Sequence, residues 1–350
     1  MPTSAFEKFS AIALMGLVGL TSGCDTILGR YIVRSPNYGD SLKEVSTDEP
    51  LALDGTVIDH RFRVEPDPEL DISLQVWVID PSNERPVVLE GDDGPVFEPT
   101  DDQPRHTHEP RGTICLIPGF YDTVNQQRYL MWARVFASEG YRTILVDQRG
   151  HGHSTGDWST YGVKESRDMI KVLNEVDRRG LLQPPVGIAA VSFGAATGMQ
   201  IADRDERIEA LVLISTFTTM RDVVPDFGRA IGFTSFSDEH YQKVIDLAGK
   251  YADFDPDESD VIQRLARSNV PTLLIHGEND DLIPIRHALR LYHAGHRDTV
   301  ELMRVAGADH TTLGDDVAEP IREPMLRWFQ RYLFDERRPA RQQEAHHDGR

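Results

Sequence analysis

From Thr113 onward, short apolar runs alternate with longer stretches of helical periodicity. The runs are "TICLIP", "RTILVD", "VGIAAV", "ALVLIS", "TLLIHG" and "VELMRV". Between them lie "QQRYLMWARVFASEG", "YGVKESRDMIKVLNEVDRRG", "GAATGMQIADRD" and "PIRHALRLYHAG", each with the spacing of a helix that buries one face. Strands that are apolar throughout, without alternation, belong to a sheet covered on both sides. Their alternation with helices predicts right-handed crossovers and a parallel sheet. Upstream, "GTVIDHRFRVE" and "DISLQVWVID" are β-rich with partial alternation and are joined by "PDPEL", which predicts an antiparallel pair. The pattern is a doubly wound α/β domain with an antiparallel pair at its start.

Two intervals break the rhythm. Residues 81–111 are rich in Pro, Asp and Gly and read as a polar surface insertion. Residues 216–269 separate "ALVLIS" from "TLLIHG" and contain the helical stretches "FTTMRDVVPDFGRAIGF" and "DEHYQKVIDLAGKYADF". An insertion there rises above the carboxyl ends of the strands, where open α/β sheets bind ligands, and so predicts a lid. Phe217, Met220, Phe227, Ile231 and Phe233 supply its apolar surface. Most of them are expected to pack the lid onto the body, with Met220 and Phe227 as candidates for touching substrate beside Tyr121.

Composition narrows the class. The chain has 350 residues, 39% of them hydrophobic, and carries 37 Lys and Arg against 57 Asp and Glu, a net charge of −20. A surface this acidic repels a phosphate backbone, so no nucleic-acid partner is expected. The two cysteines differ in setting. Cys115 lies inside an apolar strand and reads as a small buried hydrophobe. Cys24 follows Lys8, the apolar run Ala11–Leu20 and the small residues Thr21, Ser22 and Gly23. That run is too short to span a bilayer as a helix. The arrangement resembles a bacterial lipoprotein signal, which implies cleavage after residue 23, lipidation of Cys24 and attachment to a membrane of the cell envelope, facing periplasm or exterior. An ordinary secretory signal or a membrane-associated N-terminal helix are the alternatives. The expected organisation is a signal over 1–23, a tether over 24–51, the α/β domain over 52–335 and a polar tail over 336–350, with no internal disulfide.

The chemistry centres on "AVSFGA". Ser192 stands between a buried strand and a helix, with small Ala190 and Gly194 around it to permit a tight turn. A serine hydroxyl attacks a carbonyl only when a base takes its proton and a third group orients that base. In α/β sheets these groups follow successive strands in the order Ser, acid, His. Here Asp280 lies in "HGENDDLIP" and His310 in "GADH", each just past a strand, with Asp281 as a rival acid. His151 and His153 sit in the turn "RGHGHS", where Asp147 and Arg149 are expected to tie loops together. In "TYGVKESRDM", Glu165 and Asp168 are expected to stabilise the first turns of a helix through its dipole. His106 and His108 lack further ligands at metal spacing, so no metal site is expected. No cofactor is expected.

Taken in order, "IPGFYD", "DQRGHGHSTG", "AVSFGA" and "HGENDDLIP…GADH" resemble the α/β-hydrolase superfamily, within it the lysophospholipase-like and serine-aminopeptidase-like hydrolases with a short cap. The resemblance covers roughly Gly55 to Phe334. It implies a mostly parallel eight-stranded sheet with helices on both faces, and a short helical lid. It implies a Ser192–Asp280–His310 triad, with the oxyanion held by the N–H groups of Phe193 and Phe120, Tyr121 being the fallback. The expected reaction is hydrolysis of a small acyl ester through an acyl-enzyme. Peptidase or thioesterase activity on the same triad is the alternative, followed by a non-catalytic envelope binding lipoprotein.

Overall fold

A computed structural model describes residues 23–37, 51–53, 56–67, 69, 71–82, 88–91, 94–97, 108–311 and 320–334. In chain order these form helix α1 (Gly23–Ile32), a hairpin of β1 (Leu51–Leu53) and β2 (Thr56–Ile58), and the expected antiparallel pair β3 (His60–Asp67) and β4 (Ile72–Ile79). A second hairpin, β5 (Val88–Gly91) with β6 (Gly94–Phe97), falls within the polar insertion 81–111. The strand–helix alternation then runs β7 (Gly112–Ile117), α2 (Gln127–Ser138), β8 (Tyr141–Val146), α3 (Val163–Arg178), β9 (Val186–Val191), α4 (Phe193–Ala202) and β10 (Ile208–Ile214). After it come α5 (Met220–Ala230), α6 (Asp238–Ala252), a 3₁₀ turn at Pro256–Ser259 and α7 (Val261–Arg267). The chain closes with β11 (Thr272–Gly277), α8 (Arg286–Ala294), β12 (Val300–Val305) and α9 (Arg322–Phe334).

Eight strands make one sheet in the order β12-β11-β10-β9-β7-β8-β4-β3, parallel except where β4 meets β8 and β3 meets β4. Every residue of β7 and β11 is buried, as their unbroken apolar runs predict. One side of the sheet packs on α3 and α4 through Met169, Val172 and Met199. The other packs on α2 and α9 through Trp132, Phe136 and Phe329. Strand β7 pairs with β8 on one edge and β9 on the other, so the crossovers leave it in opposite directions. The crevice at the carboxyl ends of β7 and β9 is the topological switch point where such sheets bind ligands.

Within the expected lid, 216–269, helices α5 and α6 pack on each other, whereas α7 packs against α4 and α8 of the body. The lid root is pinned to α8. His287, 1% exposed, meets Asp226 Oδ2 through Nε2 at 2.8 Å, while Nδ1 accepts the Thr218 N–H at 3.2 Å. Phe217 and Met220 are buried in the core at this root, and Met220 donates its N–H to Ser259 Oγ at 2.9 Å. Met220 therefore leaves no surface for a substrate, in contrast to its expected place in the pocket.

The expected tether is also corrected in its first part. Residues 23–32 are helical and α1 packs along lid helix α6. Asp25, 5% exposed, pairs with His240 at 3.0 Å and with Lys243. The sequence reads as polar because its partner lies more than two hundred residues away. The signal 1–22, residues 38–50, His106 and the tail 336–350 lie outside the described residues. Cys115 is a free buried cysteine. Among the described residues, no helix is long and apolar enough to cross a membrane.

Candidate active site

The nucleophile candidate is presented by a strained turn. The chain leaves β9 and enters α4 at Phe193, which forces Ser192 to φ 54 and ψ −116, a conformation that L residues with side chains avoid. The turn is held by the Ser192 N–H donating to Ile214 O on β10 at 2.7 Å. Only glycine fits two residues on: a Cβ at Gly194 would lie 2.3 Å from Pro118 O and 2.4 Å from Ile117 O. The same close approach brings the loop after β7 against the turn.

His310 closes the arrangement. Its Nε2 lies 3.1 Å from Ser192 Oγ and its Nδ1 lies 2.8 Å from Asp280 Oδ2. Asp280 is buried, and its other oxygen accepts the N–H groups of Leu282 at 3.1 Å and Ile283 at 2.8 Å. Rival Asp281 is exposed. With Nδ1–H directed at the carboxylate, Nε2 is left as an acceptor for the serine hydroxyl. Strand β11 and the His310 loop can approach this closely because position 277 is glycine, where a Cβ would lie 2.4 Å from Ala308 O.

A supporting residue escaped the sequence reading. His276, fully buried at the end of β11, donates Nε2–H to Ile283 O at 2.7 Å. This bond ties down the turn whose amides wrap Asp280. Burial pushes the His276 pKa below its ordinary value and keeps the ring neutral. Its place at the end of the strand "TLLIHG" was visible, but the partner depends on how the turn folds back.

Phe193 is the first residue of α4, where the N–H has no acceptor within the helix. Across the crevice, Gly119 N–H is spent on Asp122 Oδ2 at 3.2 Å and Tyr129 Oη at 3.1 Å, and Asp122 N–H on Gly119 O at 3.2 Å. Tyr129 O–H in turn donates to Asp122 Oδ2 at 2.7 Å, and Arg128 pairs with the other carboxylate oxygen. Phe120 lies within this pinned bend, and its ring centroid is 5.4 Å from that of Phe193. The two expected oxyanion residues are thus brought together. Tyr121 follows, half-buried, with its ring edge-on to Phe120 at 4.5 Å. Phe227 stands half-buried on the lid helix α5.

The remaining polar candidates are structural. Asp147 is fully buried and accepts the N–H groups of Val124 at 2.8 Å and His153 at 2.9 Å. His151 donates Nδ1–H to Arg149 O at 2.8 Å, packs against Phe120 and Phe193, and is held neutral by burial, which lowers its pKa. Arg149 binds Asp168 through two bonds of 2.7 and 2.8 Å. Asp168 is therefore a buried ion-pair partner and more than a helix-dipole residue. Glu165 does cap its helix, accepting the N–H groups of Thr160 at 2.8 Å and Gly162 at 3.0 Å. Among the described residues, no group of three His, Cys, Asp or Glu could hold a metal ion.

With this geometry in hand, comparison with known proteins locates the chain among its relatives. A family model described as the alpha/beta hydrolase fold matches residues 112–250. The uncharacterized protein YqkD of Bacillus subtilis is 26% identical over 200 residues, covering 53% of this chain and 60% of that one. The lysophosphatidylserine lipase ABHD12 of Xenopus tropicalis is 26% identical over 235 residues, covering 64% and 55%. The chain therefore spans little more than half the length of these curated relatives. In three dimensions the Pyrococcus furiosus esterase Pf2001 superimposes with a TM-score of 0.60 at 17% identity, over 86% of this chain and 99% of that one.

Proposed function

We propose that this chain, which has the α/β-hydrolase fold, is a serine hydrolase that cleaves carboxylic esters of acyl-lipid type. The observation that carries the reading is the Asp280–His310–Ser192 hydrogen-bond chain, built on a strained turn. Ser192 Oγ attacks the ester carbonyl as its proton passes to His310 Nε2, and the Phe120 and Phe193 N–H groups receive the oxyanion. The alcohol leaves with that proton, giving an acyl-enzyme. Water, deprotonated by His310, then releases the acid and restores Ser192. Asp280 keeps the imidazole in the tautomer that accepts at Nε2 and stabilises the imidazolium. The acyl-lipid class is supported by the half-buried apolar residues Phe227, Ile231 and Phe233 of the expected lid and by similarity to a protein named as a lysophosphatidylserine lipase. Lipidation at Cys24, supported by the apolar run and small residues before it, would hold the enzyme on an envelope membrane beside such substrates.

The test is hydrolysis of p-nitrophenyl esters of increasing acyl length by the wild type and by Ser192→Ala. The variant is expected to lose at least ~10³ in kcat with unchanged thermal unfolding. Turnover retained in Ser192→Ala would remove the serine mechanism. Activity confined to amide or thioester substrates would move the reading to a peptidase or thioesterase. Anchoring is tested separately, by metabolic labelling with a palmitate analogue in wild type and Cys24→Ala.

A further inference from the structure

Helix α1 ends against both halves of the candidate oxyanion hole. Its last two residues each engage a tyrosine. The phenol of Tyr31 stands close to that of Tyr121, and Ile32 O accepts the Tyr161 O–H at 3.0 Å. Tyr121 directly follows Phe120 and packs edge-on against it. Tyr161 packs edge-on against Phe193 at 5.9 Å. Both tyrosines hold left-handed backbones, φ 65 for Tyr121 and φ 54 for Tyr161. Bulky residues stay in that region only where their surroundings over-determine it.

The helix that makes these contacts is itself fixed at both ends. Toward its start, Asp25 is paired with lid residues His240 and Lys243, and Gly29 packs so closely that a Cβ would lie 2.8 Å from Leu247 Cβ. Beyond its end, Ser35 Oγ donates to Gly156 O at 2.6 Å, and Asn37 Nδ2 donates to Gly152 O and Ser154 O, each at 2.9 Å. A rigid strut therefore runs from the lid, past the two tyrosines, to the loop between β8 and α3.

We propose that Tyr31 and Tyr161 are positioning residues for acyl transfer: the end of α1 holds Tyr121 and Tyr161 so that the Phe120 and Phe193 amides keep the separation the oxyanion requires. This rests on the serine-hydrolase reading above. An oxyanion is formed only on the way to the tetrahedral intermediate, so a loosened hole costs kcat and leaves KM alone. A strut that merely adds stability would leave both constants unchanged well below the unfolding temperature.

The experiment compares full-length wild type, Tyr31→Phe, Tyr161→Phe and the control Tyr251→Phe, an exposed tyrosine on α6. The readouts are kcat and KM on p-nitrophenyl butyrate at 25 °C, the thermal midpoint, and Ki for an alkyl trifluoromethyl ketone. That inhibitor adds to the serine and places an oxyanion in the hole. Each of the two variants is expected to lose about 10-fold in kcat, less than the 10²–10³ typical of deleting a donor outright. KM should stay within about twofold, Ki should rise by the same factor as kcat falls, and Tyr251→Phe should match wild type. Unchanged kcat and Ki in both variants, or a change in KM alone, overturns the positioning role. Losses that appear only when the midpoint approaches the assay temperature do the same. A wild type no more active than Ser192→Ala on any ester overturns the serine-hydrolase reading as well, a result distinct from an active wild type with indifferent tyrosines.

Discussion

At Ser192 two constraints meet in one turn: a positive φ on a residue with a side chain, and a neighbour, Gly194, pressed against the carbonyls of Ile117 and Pro118. Gly194→Ala should therefore push the loop after β7 away from the turn. The expected cost is about 1–3 kcal/mol of stability from overpacking, with at least a tenfold fall in kcat as the Phe120 amide moves. Urea unfolding beside ester kinetics checks both. The two adjacent acids separate as sharply. Asp280 is buried on His310 and fed by two amides, while Asp281 faces solvent. Asp280→Asn should lower kcat by on the order of 10³–10⁴, because the amide favours the wrong imidazole tautomer. Asp281→Asn should stay within about twofold, and equal losses in the two variants would contradict this assignment.

Among elements, the connection between the loop after β8 and helix α3 depends on Arg149 and Asp168, which are nearly buried and joined by two bonds. Removing one partner leaves the other charge buried and unpaired. Arg149→Met and Asp168→Leu should each cost roughly 3–5 kcal/mol. The double variant should recover much of the loss, since two apolar side chains leave no stranded charge. A double-variant cycle by chemical denaturation measures the coupling, and additive losses would show that the pair is not the source. The two lid helices are held differently. Helix α5 is bonded to α8 through Asp226 and His287, and α6 is bonded to α1 through Asp25. Helix α6 and the N-terminal segment are thus joined by ion pairs, and neither can shift without disturbing them.

For the molecule as a whole, the buried neutral histidines make stability depend on pH in a definite direction. Burial lowers the pKa of His151 and of His276 below the ordinary 6.5. The unfolded chain therefore takes up protons first as pH falls, and folding linked to these rings weakens. Their contribution is complete above about pH 6.5 and is lost as pH falls through the lower folded-state values. Urea midpoints measured between pH 8 and pH 5 should decline. His151→Gln and His276→Gln, although less stable overall, should each show a shallower decline than wild type. Parallel slopes in wild type and variants would remove these rings as the cause.

The layout of the sheet was legible because strands buried on both faces must be largely apolar without alternation, and that requirement is written locally in β7, β9 and β11. The order of Ser192, Asp280 and His310 was legible because each lies in the loop just past the carboxyl end of a strand. What local pattern cannot encode is which distant group a polar residue will meet. The "DTILGRYI" of α1 reads as tether until α6 supplies His240, Lys243 and Leu247. Asp168 reads as a helix-dipole residue until the loop after β8 brings Arg149 onto it. Met220 reads as pocket until the lid root closes over it. Burial periodicity is a property of one segment and its sequence carries it, whereas pairing depends on how segments dock, and only the tertiary structure decides that.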